Sequence, residues 1–425
     1  VAKKKVDLLI EKANELITLQ NAYDEPLTGE QMKNLDTIPR GSVAINKGKI
    51  IAVGTYEWIK ERFIAERTID ASGKVVMPGF VDPHTHLVFA GAREEEFEFR
   101  IMGVSYLEIL AKGGGILKTM KETRKASVEE LVKNCKKTLN LMLMHGTTTI
   151  EAKSGYGLNL KDEIKILEVI KRLNNEHPVD VVPTFLGAHA IPPEYEKDVD
   201  GYVDLLLEEV IPVVAENKLA EFCDVFCEKG VFNIQQSKLI LTRGKEYGLK
   251  LKIHADEMTQ FGGAELAAEV GAVSASHLLF SSRDGIIKMA EKGVIGELLP
   301  LASFTLMMGR YALAREMIEN GLAVALGTDY NPSCWVENQQ LTIAFACRQM
   351  HLTPAEAITA TTINAAHAIN RANEVGSLKP GKKADVIILD IPNHKFLGYR
   401  FGTNLVETTI KNGEIVAEKG RFITA

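Results

Sequence analysis

Eight short apolar runs, rich in β-branched residues, alternate with amphipathic stretches through the middle of this 425-residue chain, and that rhythm leaves few folds open. The runs are Val75 to His86, Thr147 to Gly155, Val181 to His189, Glu221 to Glu228, Leu251 to Glu257, Ala272 to Leu278, Val294 to Pro300 and Ala323 to Asp329. Helical patterns separate them, as in Glu129 to Met144, Leu160 to Leu173, Ile234 to Tyr247, Gly263 to Val270 and Arg310 to Asn320. Strand followed by helix, eight times over, predicts an α/β fold: a closed parallel (β/α)8 barrel of the TIM type with its helices outside. The near-continuous apolar character of several runs fits strands covered on both faces.

The flanks differ. Residues 1–72 and 376–425 carry short runs punctuated by turn residues, such as Gly41 to Ile45, Lys49 to Gly54, Asp385 to Asp390 and Thr408 to Gly413. Gly376-Ser377-Leu378-Lys379-Pro380-Gly381 and Lys411-Asn412-Gly413 are strong turn signals. Both flanks together are expected to form one small β-sandwich domain beside a barrel of residues 73–375. Val6 to Thr18 also scores as a helix, but strand is the preferred reading.

Composition narrows the class of function. The net charge is −6 and no basic block stands out, so no nucleic-acid surface is expected. No run approaches the roughly 18 uninterrupted apolar residues of a membrane span. The three lysines near the start precede no signal-like apolar stretch. Five cysteines, odd in number and widely spaced, argue against a disulfide framework and for a reducing, cytoplasmic setting. Cys223 and Cys227 share a strand face, but no second pair follows, and they read as small buried hydrophobes.

Chemistry concentrates at the ends of the apolar runs. His84 and His86 stand two apart at the end of the first, so both imidazoles face one way on a strand. Alone, such a pair is often only a polar rim. Here His189, His254 with Asp256 and Glu257, His277 and Asp329 close later runs, which is how a barrel gathers one site from many strands. His84, His86, His254 and Asp329 form an N3O ligand set that suits zinc, Fe(II), Mn or Ni. One divalent ion per chain is expected, Zn or Fe. No lysine lies within Phe222 to Glu228, where two-metal barrels place a bridging one. A bound ion brings a water's pKa to roughly 7, and Asp329 is placed to take its proton. Glu257 is a candidate proton carrier and His277 a candidate oxyanion stabiliser, giving Glu257, His277 and Asp329 as the catalytic set. Arg93, soon after the first strand, offers a guanidinium fork for a substrate carboxylate, and Tyr156 sits in the glycine-flanked turn Gly155 to Gly157. His145, His177, His351, His367 and His394 lie away from strand ends and read as structural.

These motifs carry a resemblance. Pro83 to Gly91 with Arg93, Glu96 and Phe97, then Ser105-Tyr106, Gly113 to Ile116, Thr123-Arg124, Glu151 to Leu158, Phe185 to His189, His254 to Glu257, Thr328-Asp329, Asn331-Pro332 and Asp390 to Asn393 run in order along almost the whole chain. The chain resembles the amidohydrolase superfamily and, within it, the cyclic-amide hydrolases of histidine degradation. The resemblance implies hydrolysis of the ring C–N bond of 4-imidazolone-5-propanoate, a small anionic cyclic amide, to N-formimidoyl-L-glutamate. It implies that Arg93 binds the propanoate, that Tyr156, His189 and Glu257 contact ring or tail, and that Asn331 faces the product side. One departure follows Asn331-Pro332, where the family usually has Gly and then Ser or Thr. Here stand Ser333, Cys334 and Trp335, so Ser333 and Cys334 enter as altered substrate contacts.

Two other classes compete. An aminohydrolase acting on another small nitrogen heterocycle needs the same His, Glu and Asp set; Arg93 and Tyr156 argue instead for a carboxylated substrate. A barrel retained only for binding would not keep ligands at three separate strands. Partners beyond the substrate are not expected, except that large helical surfaces and a sheet edge suit a homodimer.

Overall fold

In a computed structural model, described for residues 2–21, 25–104, 108–109 and 113–423, the expected barrel is present. Its strands are β1 (Phe80–Asp82), β2 (Thr147–Lys153), β3 (Asp180–Ala188), β4 (Phe222–Cys227), β5 (Lys250–Ala255), β6 (Ser274–His277), β7 (Ile295–Leu298) and β8 (Val324–Leu326). Neighbours pair in parallel in chain order from β1 to β8. β8 returns to β1 just beyond the strand ends, through a parallel bridge between Thr85 and Tyr330. Outside run helices with ordinary start signals. Ser127 and Glu130 form a capping box on Val128–Met144, and Asn159 caps Leu160–Glu176.

Two expected elements come out differently. The run from Val75 to His86 divides at Gly79: Val75–Pro78 pairs with Val386–Leu389 and with the first strand, Lys4–Ile17, whereas β1 joins the barrel. A Cβ at Gly79 would lie 2.4 Å from Thr148 Oγ1, so the chain can cross from sheet to barrel there only with glycine. The helix expected from Arg310 begins at Ala314 and ends at Glu319. Before it the chain is a loop in which Arg310 Nε donates to the Leu279 carbonyl at 3.0 Å. Ser105 and Tyr106 lie outside the described residues.

Among the described residues the termini and Val75–Pro78 build one mixed sheet of nine strands, which includes Lys4–Ile17, Thr37–Asn46, Lys49–Thr55, Val386–Leu389 and Val406–Lys411. The preferred strand reading of Val6 to Thr18 therefore holds. The layers of this small domain belong to a single hydrogen-bonded sheet, and strands far apart in it, such as those carrying Val43 and Ile388, share one apolar core. The barrel floor is apolar: Val81, Val182, Phe222 and Ile295 pack on Ala365, Ala366 and Ala368 of the helix Ile363–Ala368. No helix among the described residues is long and apolar enough to cross a membrane.

Sheet and barrel meet at Gly146, which follows the C-cap of Val128–Met144 with φ +94°. A Cβ there would lie 3.0 Å from Val406 and 3.2 Å from Phe80. Gly146→Ala is expected to destabilise the chain by about 1–3 kcal/mol, combining the φ penalty with overpacking. An unchanged urea midpoint would refute this reading of the junction.

Candidate metal centre and cavity

Strand geometry puts the side chains where the alternation said it would. His254 stands two residues after Lys252 on β5, so both face inward, and His277 is the last residue of β6. His84 and His86 follow β1 directly, and Asp329 lies three residues past β8. His277 and Asp329 hold left-handed backbone, at φ +71° and +52°. Such conformations cost a non-glycine residue on the order of 1–3 kcal/mol and mark positions the surrounding structure imposes.

His84, His86, His254, His277 and Asp329 are all buried. Asp329 Oδ1 is 3.4 Å from Nε2 of both His84 and His86. The His84 ring lies 4.6 Å from that of His254, centroid to centroid. Two sets of three offer ligand atoms within 4.8 Å of one another: His84, His86 and Asp329, and His84, His254 and His277. The four expected ligands thus converge on His84, with His277 at the same range. Nε2 of His84, Nε2 of His254 and Oδ1 of Asp329 have no hydrogen-bond partner although buried. Buried polar atoms are rarely left so, and a divalent cation satisfies this N3O set.

The electrostatics agree. Burial, with the Lys153 ammonium nearby, pushes His84 down to about 3, and burial pushes His86 down to about 4. Both are neutral imidazoles at neutral pH, the ligand form. Burial alone would raise the Asp329 carboxyl, but the close approach of the His84 and His86 imidazoles holds it well below the usual range. Glu257 lies close to His277, with Oε2 3.6 Å from Nε2, and burial raises its carboxyl above the ordinary value.

A cavity of about 130 Å³ opens above these atoms, and every other expected contact lines it: Arg93, Tyr156, His189, Asn331, Ser333 and Cys334. Arg93 makes none of the ion pairs its acidic neighbours suggest. Its Nε donates to Thr119 Oγ1 at 2.8 Å and its Nη1 to Ser333 Oγ at 2.9 Å, and the buried Nη2 has no hydrogen-bond partner among the described residues. Ser333, one of the two altered positions, therefore holds Arg93. His189 stacks on His86 at 4.8 Å, and its Nδ1 donates to the Gly155 carbonyl at 3.0 Å, which leaves Nε2 as an acceptor. Tyr156 packs against both histidines. Gly155 has φ +108°, and a Cβ there would strike the Leu186 carbonyl at 2.8 Å. Asn331 and Cys334 turn toward their own loop. Asn331 Oδ1 accepts from the backbone of Ser333 and Cys334, and Cys334 Sγ donates to the Thr328 carbonyl at 3.4 Å.

Thr119 was not legible as a site residue, because an isolated threonine on the helix Ile116–Lys125 carries no signal of its own. Five charged residues inside the barrel were also missed: Glu151, Lys153, Asp224, Lys252 and Glu297. Their signal was partial: Asp224 and Glu297 are each the one charge on their strand, whereas Glu151 and Lys153 share a strand with three threonines and Lys252 shares one with Lys250. The five cysteines are free, and Cys223 packs outward against the helix Ile234–Glu246 near Gly244.

The comparisons with known proteins match this geometry. The amidohydrolase family model matches residues 75–416, and the chain belongs to that family. Among its curated relatives are the imidazolonepropionases of Alkaliphilus metalliredigens, 52% identical over 98% of this chain and 100% of that protein, and of Geobacillus sp. strain WCH70, 54% identical over 98% and 99%. Within the family, the chain falls among these imidazolonepropionases and is a hydrolase. Solved structures share the fold at low identity: a zinc-bound adenosine deaminase from Xanthomonas campestris (TM-score 0.74, 18% identical, 100% of this chain and 96% of that one) and the guanine deaminase of E. coli (0.73, 17%, 97% and 99%).

If Thr119 and Ser333 orient Arg93, Thr119→Val should weaken binding of a carboxylated ligand by about tenfold, the worth of one charged hydrogen bond, while Thr119→Ser should bind as the parent does. Equal affinity for all three proteins by calorimetry would remove Thr119 from the site.

Proposed function

We propose that this chain hydrolyses the ring C–N bond of 4-imidazolone-5-propanoate, yielding N-formimidoyl-L-glutamate in histidine degradation, with one divalent ion, Zn or Fe, per chain. The observation that carries the reading is the shared cavity. A buried guanidinium nitrogen of Arg93 with no partner faces the same space as the imidazoles and Asp329. A small ring bearing a carboxylate tail satisfies both ends. The identity to imidazolonepropionases over nearly the whole chain supports it.

His84, His86, His254 and Asp329 would hold the ion, which when bound supplies Lewis acidity and a nucleophile at neutral pH. The single-ion reading is supported by Lys153, whose ammonium pairs with Asp224 and Glu151 inside the barrel and leaves these carboxylates engaged. Arg93 binds the propanoate. Tyr156 and His189 hold the ring, and Asn331, Ser333 and Cys334 line the same cavity. Asp329 takes the proton of the attacking water. Glu257, whose burial favours the protonated carboxyl, delivers a proton to the leaving ring nitrogen. His277 donates to the oxygen on which negative charge develops.

Two further points belong to this reading. The chain works as two units, residues 1–72 with 376–425 and residues 73–375, in the cytoplasm. It pairs as a homodimer, a reading supported by exposed apolar side chains beside the cavity, including Phe97, Ile101, Phe304, Met307 and Trp335.

The test is turnover of freshly made 4-imidazolone-5-propanoate by metal-loaded protein, followed by loss of the imidazolone chromophore and appearance of formimidoyl-glutamate. Release of ammonia without that product would point to an aminohydrolase and overturn the assignment. In the active protein, Arg93→Ala should raise KM about 10- to 100-fold with kcat little changed, because it removes charged hydrogen bonds to a remote group. An unaltered KM would sink the role of Arg93. Asp329→Asn should lower kcat by at least about 10²-fold with the circular dichroism spectrum intact; parental turnover would sink the role of Asp329.

A further inference from the structure

Beneath the imidazoles the barrel is not filled with branched apolar side chains, the usual content of such an interior. Lys153, Lys252, Glu151, Asp224 and Glu297 stand there, each fully buried. Charges out of water are costly unless paired, and an apolar filling of similar volume is often no less stable. Stability alone does not explain this tier. Its connections do.

Two limbs run upward from it. In the first, Lys252 Nζ donates to Glu297 Oε1 and to the carbonyls of Pro83 and Ala368, both at 3.3 Å. Ser276 Oγ donates to Glu297 Oε2 at 2.7 Å, so Ser276 Oγ accepts from His84 Nδ1 at 2.9 Å. In the second, Lys153 Nζ lies 2.7 Å from Glu151 Oε1 and 2.9 Å from Asp224 Oδ2, and the Asp224 carboxylate accepts from His254 Nδ1 at 3.1 Å. Each limb makes Nδ1 the protonated nitrogen and leaves the Nε2 lone pair facing the centre. His86 has no such support, since its Nδ1 is unpartnered. The two limbs enter from opposite sides of β5, which lends Lys252 to one and His254 to the other.

We propose that Lys153 and Lys252 are positioning residues of the metal centre, acting through Asp224 and through Glu297 with Ser276 to fix the tautomer and tilt of His254 and His84. The proposal rests on the reading of these histidines as ligands. Each lysine holds its carboxylate in place and offsets its charge; without it the carboxylate is free to swing toward another donor and the imidazole loses its anchor.

The experiment measures Zn(II) affinity by competition with a chromogenic chelator, together with the visible spectrum of the Co(II)-substituted protein. Lys252→Met, Lys153→Met, Ser276→Ala and Glu297→Gln are compared with Glu356→Gln. Glu356 is buried and paired with Arg315 on the barrel's outer helices, so its loss reports a purely structural ion pair. Lys252→Met and Lys153→Met are expected to bind Zn(II) about 10- to 100-fold more weakly, the usual effect of losing an outer partner of a ligand, with a shifted Co(II) spectrum. Glu356→Gln should lower the melting temperature and leave both readouts unmoved. Should the lysine variants not fold, Ser276→Ala and Glu297→Gln, which cut the first limb with little change of shape, decide the matter by the same readouts. Folded limb variants with parental affinity and spectrum would overturn the proposal. A parent protein that binds no Zn(II) or Co(II) would instead bring down the ligand reading on which it stands.

Discussion

The seam between β1 and β8 is the constraint on which the site depends. Asp82 and Thr328 are 246 positions apart, and the Asp82 carboxylate accepts from the Thr328 hydroxyl at 2.6 Å and its backbone N–H at 3.1 Å. Beyond them Asp329 N–H donates to the His84 carbonyl, and His86 N–H to that of Tyr330. The length-dependent cost of closing so long a loop is about 5 kcal/mol, more than these few bonds return at about 1 kcal/mol each. The seam closes because six intervening strands have already brought its edges together. Its own contribution is register. A shift by one residue would turn His84 and His86 away from Asp329.

The same alternation that made the barrel legible made the candidate site legible. His84, His86, His254, His277 and Asp329 each end an apolar run, and a closed parallel barrel puts all run ends on one rim. What could not be read is of another kind. Val75 to Val81 is one apolar run in sequence, yet it serves two sheets, because the steric demand for glycine at Gly79 comes from Thr148, far along the chain. The loop before Ala314 fits a helical pattern, but Arg310 is claimed by a carbonyl on another element. Thr119 becomes a site residue only when Arg93 is laid against it. In each case a tertiary contact overrides a local preference.

Ser333 and Cys334 illustrate how a substitution in sequence changes meaning once placed. In sequence they read as altered substrate contacts. In space Ser333 Oγ accepts from the Arg93 guanidinium, and Cys334 Sγ reaches its own loop's carbonyl. The first adjusts how the Arg93 guanidinium is held, and the second how the loop is closed. The difference from the family pattern therefore acts through Arg93 and the loop after Asn331.

The charged tier under the candidate metal centre bears on why a hydrolase would keep a costly interior. Removing one partner of a buried ion pair costs about 3–5 kcal/mol, whereas replacing the whole set by apolar residues is often neutral. Stability therefore guards the tier against single losses without explaining its presence. The explanation lies one layer up, where two imidazoles must present Nε2 within a narrow solid angle. A hydrocarbon layer offers Nδ1 no acceptor, and water would need room that a packed barrel does not provide. A carboxylate supplies the acceptor, directly for His254 and through Ser276 for His84, and a lysine beneath it makes the carboxylate tolerable in the interior. The buried charges at inward registers of β2, β4, β5 and β7 follow from that chain of needs, which starts at the proposed ion and ends in the tier beneath the imidazoles.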